Sequence, residues 1–276
     1  MRRNTRCFSL GEVNIGSDHP ISVQSMTKTD TRDIEKTVEQ INELEMAGCD
    51  IIRCAVPNID AAKSLKDIIL KTKLPIVADI HFEYRLALEA IKSGVHGLRI
   101  NPGNIGQKKR IISVVQSAKD SNIPIRIGVN SGSLEKDLLE KYGYPSADAL
   151  VESAERHLSI LDELDFKNVK VSVKSSNVNI MIDAYRKLAK KTDVPFHLGV
   201  TESGTYEIGS VKSSIGIGSL ISEGIGDTIR VSLTDDPVKE VKMGKNILKA
   251  LGHFENGIEL ITCPGCGRLE IDLQSL

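Results

Sequence analysis

One pattern recurs eight times along this chain, and it restricts the possible folds more than any other feature. Short runs of β-branched and aliphatic residues alternate with amphipathic stretches. The runs are Ile21–Met26, Asp50–Val56, Pro75–His81, Gly97–Gly103, Pro124–Asn130, Asn168–Lys174, Pro195–Glu202 and Thr228–Leu233. The stretches lie near 33–47, 60–71, 83–93, 106–120, 146–164, 177–191, 205–222 and 236–251. Val38, Ile41 and Leu44 fall at helical spacing on one face, and so do Leu158, Leu161 and Leu164. Asp60 and Asp236 stand where N-caps are wanted, and Pro237 suits a first helical position. Gly48, Gly94 and Gly252 follow helices, as C-terminal caps do. Consecutive βα units of about 25–30 residues predict parallel strands with crossover helices. A (β/α)8 TIM barrel of ~250 residues is the natural closure. The alternative is an open doubly wound sheet, but no Gly-rich dinucleotide fingerprint follows the first run.

Side chains alternate across a strand, so each run divides into two faces. Val169, Val171 and Val173 share one face, and Lys170, Ser172 and Lys174 share the other. Ile125, Ile127 and Val129 alternate with Arg126, Gly128 and Asn130; Leu98 and Ile100 with Arg99 and Asn101; Ile229, Val231 and Leu233 with Arg230 and Ser232. Val77, Asp79 and His81 lie opposite Ile76, Ala78 and Ile80. The aliphatic faces suit contact with surrounding helices, so the polar faces are predicted to point inward. Arg53, Arg99, Arg126, Lys174, Arg230, Asn101, Asn130, Asp79, His81 and His197 then fill much of the interior. Buried cations need anions, and the acidic residues on these faces are Asp79 and, just past its strand, Glu202. The surplus of inward cations predicts a polyanion site at the carboxyl ends of the strands. Gly128 and Gly199 also face inward. They leave room for a ligand or accommodate a tight taper of the barrel. The turn Asn130-Ser131-Gly132-Ser133 offers backbone N–H groups to a phosphate or caps a helix. Glu202 relays a proton or balances charge.

The chain has 276 residues, enough for one large α/β domain, and a formal net charge of -1. No global positive field points to nucleic acid. No apolar run approaches ~18 residues, so no membrane span is expected. Arg2, Arg3 and Arg6 have no apolar segment behind them, so no signal peptide is expected. Cys7, Cys49, Cys54, Cys263 and Cys266 are too scattered for a disulfide scaffold. A cytoplasmic location fits this usage, with Cys54 in the core. Cys263-Pro264-Gly265-Cys266 can chelate a metal. Half of a zinc site, a redox dithiol and half of an iron–sulfur site all remain open.

Several segments together carry a resemblance. They are Pro20-Ile21-Ser22-Val23-Gln24-Ser25-Met26-Thr27, Asp30-Thr31-Arg32, Ala78-Asp79-Ile80-His81-Phe82 and Leu98-Arg99-Ile100-Asn101-Pro102-Gly103-Asn104-Ile105-Gly106. Ile125 to Leu134, Leu198-Gly199-Val200-Thr201-Glu202 and Cys263 to Arg268 complete the set. The chain resembles the bacterial 4-hydroxy-3-methylbut-2-en-1-yl diphosphate synthases of the methylerythritol phosphate route to isoprenoids. The resemblance implies reductive ring opening of 2-C-methyl-D-erythritol 2,4-cyclodiphosphate, with electrons from ferredoxin or flavodoxin delivered through a [4Fe–4S] cluster. It implies a barrel over residues 1–255, the start of a cluster domain over 256–276, and a homodimer in which one subunit's cluster meets its partner's barrel. By the same resemblance Arg53, His81, Arg99, Arg126, Asn130, Lys174, Arg230 and Ser232 hold the substrate, and Glu202 is the catalytic proton relay. Cys263 and Cys266 are the first two cluster ligands. A third cysteine and a glutamate ligand are expected beyond Leu276, so a chain ending there is expected to bind substrate without turnover. Two other readings are a pterin-using barrel similar to dihydropteroate synthase, which has no use for the cysteine pair, and a non-catalytic binding barrel.

Overall fold

The computed structural model describes residues 2–106, 108–253 and, near the C-terminus, 261, 265, 266, 268, 271 and 272. The chain opens with a hairpin, β1 (Phe8–Leu10) and β2 (Val13–Ile15), paired antiparallel. Eight parallel strands follow: β3 (Ser22–Met26), β4 (Ile51–Ala55), β5 (Ile76–Asp79), β6 (Gly97–Ile100), β7 (Ile125–Asn130), β8 (Val169–Lys174), β9 (His197–Leu198) and β10 (Thr228–Ile229). Their order is β8-β7-β6-β5-β4-β3-β10-β9, and a parallel bridge between Val171 and Phe196 joins β8 to β9 and closes the ring. The predicted TIM barrel is therefore the observed one.

The main crossover helices are α1 (Ile34–Met46), α2 (Ile59–Lys71), α3 (Tyr84–Lys92), α5 (Lys108–Asp120), α7 (Ala147–Glu163), α8 (Val178–Ala189), α9 (Tyr206–Ser222) and α10 (Pro237–Ala250). Each overlaps a predicted stretch. Two shorter helices, α4 (Pro102–Ile105) and α6 (Lys136–Tyr142), were not expected. The N-cap of α2 is Asn58, whose side chain accepts from Ala61 N, and Asp60 sits inside the first turn instead of capping it. Asp236 does cap α10 by accepting from Val238 N, with Pro237 beginning the helix. Gly48, Gly94 and Gly252 follow their helices with left-handed φ of 89°, 87° and 71°, respectively. The runs predicted over Pro195–Glu202 and Thr228–Leu233 shorten to two-residue strands. Beyond them the backbone remains tied: Arg230 N donates to Leu198 O, and Thr201 N to Ser175 O.

The aliphatic strand faces pack with the helices in one continuous core that includes Val23, Ile52, Cys54, Ile76, Ala78, Leu98, Ile100, Ile125, Ile127, Val171, Val173 and Ile229. That packing turns the opposite faces into the barrel. A second, smaller apolar cluster joins Phe8, Leu10 and Ile15 of the hairpin to Ile51 and Val77. Leu10 also lies beside Gly97, where an added Cβ would stand 3.2 Å from it. Ile51, Val77 and Gly97 are at the starting ends of their strands, so the hairpin plugs the bottom of the barrel. Above the plug the interior is polar. Among the described residues no helix is long and apolar enough to cross a membrane.

Candidate active site

The eight predicted ligand-binding side chains converge. Arg53, His81, Arg99, Arg126, Asn130, Lys174, Arg230 and Ser232 all line one cavity of about 200 Å³ at the carboxyl ends of the strands. Met26, Asp79, Ser172 and Thr201 complete its lining. Ser172 and Asp79 face inward, as strand parity predicts. Met26 and Thr201 were missed as liners, although strand parity placed them on the same faces.

Asp79 organises one side. Its Oδ1 lies 3.2 Å from Arg99 Nη1, and its Oδ2 lies 3.5 Å from Arg53 Nε and 3.4 Å from His81 Nε2. Burial pushes its carboxyl pKa upward, but Arg53, His81 and Arg99 together hold it well below the usual carboxylate range. Arg53 also points Nε and Nη2 at the sulfur of Met26, at 3.2 and 2.8 Å. With its amide oriented to satisfy both groups, Asn130 accepts from Arg99 Nη2 at 3.3 Å and donates to Val129 O at 3.1 Å. On the other side, Arg230 Nη2 lies 3.8 Å from Glu240 Oε2. Glu240 is a buried carboxylate on α10 that also accepts from Leu233 N. Strand parity does not find it, because it belongs to a helix.

The cations outnumber these carboxylates. Arg126 and Lys174 are buried, and among the described residues neither has an ion-pair partner. Nε and Nη1 of Arg126 and Nε of Arg99 and of Arg230 have no hydrogen-bond acceptor. Burial lowers the pKa of Arg53 to about 9, with Arg230 and Arg99 adding to the effect and Asp79 opposing it. Burial and neighbouring guanidinium groups push Arg126 and Lys174 well below their ordinary values. Beneath them Lys170 and His197 are also buried without partners for their side-chain nitrogens. Such a cluster is a standing demand for anionic oxygen.

Gly128 and Gly199 do not leave space for a ligand. An added Cβ at Gly128 would stand 2.6 Å from Arg99 Nε, and one at Gly199 would stand 2.5 Å from Arg230 O and 2.7 Å from Lys174 Nζ. The room is occupied by the Arg99 guanidinium at Gly128, and by the Arg230 backbone carbonyl and the Lys174 ammonium at Gly199. Glu202 does not line the cavity. It is exposed at the mouth, just after Thr201, with a left-handed φ of 50° that is rare for a residue with a side chain. The turn after Asn130 is a short 3-10 helix over Ser131–Ser133.

Cys263 and most of the 256–276 segment lie outside the described residues. Cys266 is exposed, and hydrogen bonding from Arg268 lowers its thiol pKa. Cys49 and Cys54 are buried, and burial raises both to about 12, as expected for inert core thiols. Among the described residues no group of three or more His, Cys, Asp or Glu could hold a metal ion.

The GcpE TIM-barrel domain family matches residues 5–245. The 4-hydroxy-3-methylbut-2-en-1-yl diphosphate synthase (flavodoxin) of Clostridium acetobutylicum is 62% identical over 272 residues, covering 99% of this chain and 78% of that protein. The synthase of the same description from Thermodesulfovibrio yellowstonii is 58% identical over 275 residues, covering 100% of this chain and 79% of that protein. Among solved structures, an N-acetylneuraminic acid synthetase from Leptospira borgpetersenii superposes with a TM-score of 0.63 at 15% identity, covering 94% of each chain. Yersinia pestis dihydropteroate synthase superposes with a TM-score of 0.62 at 11% identity, covering 89% of this chain and 97% of that one. At these identities the superpositions speak for a common barrel architecture alone.

Proposed function

This chain belongs to the GcpE family, the 4-hydroxy-3-methylbut-2-en-1-yl diphosphate synthases, and from that premise we propose that its barrel mouth is where the cyclic diphosphate is held. The function is the family's: an oxidoreductase of the methylerythritol phosphate route opens 2-C-methyl-D-erythritol 2,4-cyclodiphosphate to 4-hydroxy-3-methylbut-2-en-1-yl diphosphate. Two electrons and two protons enter; the ring C–O bond to the diphosphate and the C–O bond of one hydroxyl break, a C=C double bond forms, and one water leaves.

The observation that carries the site assignment is the pair of buried, unneutralised cations, Arg126 and Lys174, amid Arg53, Arg99 and Arg230. A diphosphate supplies the missing charge, and guanidinium groups can bind its oxygens in pairs. Asp79, in the cavity wall, pairs with Arg53 and Arg99 and aims both guanidinium groups. Asn130, Ser232 and His81 add hydrogen bonds near the opening. The plugged floor keeps bulk water from reaching the substrate from below. Glu202, outside the phosphate cage, is the group to hold and hand over a proton at its carboxylate.

A [4Fe–4S] cluster, when bound, supplies single electrons, and Cys263 and Cys266 are its proposed ligands here. The described residues alone do not assemble such a site. Flavodoxin, named in the descriptions of the relatives, is the proposed electron donor, with ferredoxin as the alternative. A homodimer, a cytoplasmic location, a barrel over 1–255 and a cluster domain from 256 complete the proposal.

Calorimetry with the cyclic diphosphate tests the site. The wild-type chain is expected to bind, and Arg230→Ala to lose at least tenfold in affinity. Unchanged affinity in the variant removes Arg230 from the site, and wild-type silence removes the assignment.

A further inference from the structure

Glycine in the middle of a strand is unfavourable, because it loses much backbone freedom and contributes no packing. Gly128 occupies such a position in β7, buried and in register with Ser172 of β8. Its φ is not left-handed, so the backbone there does not require glycine. What requires it is space, and the occupant is specific. The three atoms nearest to an added Cβ are Arg99 Nε at 2.6 Å, Nη2 at 2.9 Å and Cζ at 3.1 Å, all of one guanidinium group.

Arg99 leaves β6 in register with Arg126 and lies across β7 over Gly128, two residues further along. Asp79 Oδ1 holds Nη1 at 3.2 Å, and the Asn130 amide oxygen accepts from Nη2 at 3.3 Å. Nε has no partner. The plane of the group is thus fixed by two polar contacts and by a flat surface of bare backbone beneath it. We propose that Gly128 is a positioning residue for anion binding: its missing methyl is the berth on which the Arg99 guanidinium lies. A side chain at position 128 lifts Arg99 off Asp79 and into the volume the diphosphate needs. Because Asp79 also faces Arg53 and His81, the displacement spreads along that side of the cavity. Gly199 differs, because the atom nearest to its added Cβ is the backbone oxygen of Arg230, so substitution there strains the barrel itself.

The proposal rests on the diphosphate assignment, and a double-mutant cycle separates the two. Affinity for the cyclic diphosphate is measured by calorimetry, and thermal melting monitors folding. Gly128→Ala is expected to weaken binding at least tenfold, and Arg99→Ala to weaken it as well. Adding Gly128→Ala to Arg99→Ala is expected to weaken binding less than twofold further, because the guanidinium is already gone. Equal losses in both backgrounds, or wild-type affinity in Gly128→Ala, overturn the positioning role while leaving the diphosphate site intact. No binding by the wild-type chain overturns both. If Gly128→Ala fails to fold, Gly128→Ala/Arg99→Lys decides, since lysine carries no planar group over position 128. Recovery of folding and binding supports the berth; failure to fold, with Arg99→Lys itself folded, overturns it.

Discussion

Arg99 and Arg126 are directly paired in register on neighbouring strands, two guanidinium side chains side by side inside the barrel. Like charges in that relation repel. Asp79 relieves Arg99, and among the described residues no carboxylate forms an ion pair with Arg126. Arg126→Met is therefore expected to stabilise the ligand-free chain by about 1–4 kcal/mol while reducing diphosphate affinity by two orders of magnitude or more. Urea melts and calorimetry read the two effects separately. A variant that is both less stable and still binds contradicts the reading of Arg126 as an unsatisfied cation.

Asp79→Asn has the opposite sign. It removes the carboxylate that faces Arg53, Arg99 and His81, leaving buried positive charge uncompensated, and is expected to destabilise by about 3–5 kcal/mol. Its folded-state pKa is depressed, so its stabilisation is present above the unfolded value of about 3.9 and disappears only as pH falls through the lower folded value. Denaturation from pH 7 down to about pH 5 should show no loss attributable to Asp79.

Lys170 predicts an alkaline trend. Burial, reinforced by Arg126 and opposed by Asp227, brings its pKa to about 7, against about 10.4 in an unfolded chain. Between these values the unfolded state binds a proton that the folded state does not, so stability rises with pH across that window. The slope from this residue is at most about 1.4 kcal/mol per pH unit. Arg53, lowered to about 9, adds to the trend above that pH. Lys170→Met should flatten the part between pH 7 and 9 in urea melts. A slope unchanged by the substitution assigns the effect elsewhere.

Glu202→Gln tests the proposed proton relay separately from binding. The residue is exposed and lies outside the cavity lining, so affinity should stay within about twofold, while turnover by the cluster-bearing enzyme falls about 100-fold or more. A parallel loss of affinity makes Glu202 a ligand contact and not a relay.

The barrel and its charged interior were legible in the sequence because strand parity is a strict code. Once Val169, Val171 and Val173 face the helices, Lys170, Ser172 and Lys174 have only the interior left. Features contributed by distant segments were not legible. Nothing local about Phe8, Leu10 and Ile15 says that they meet Ile51 and Val77, and nothing about Glu240 says that its helix brings it to Arg230. Met26 carries no charge to mark it in the sequence, although its sulfur receives two nitrogens of Arg53. Aspartate at position 60 suits a cap, but Asn58 suits it equally well and sits immediately before the helix. Gly128 reads as empty space until the arginine from the next strand is placed over it.

The hairpin at the base of the barrel makes the chamber a cul-de-sac. With the diphosphate held there as proposed, reactant and product use the same doorway, so a spent molecule has to depart before a fresh one can arrive. Product is then expected to compete directly with reactant, and whatever covers the doorway during the reaction sets the pace of exchange in both directions.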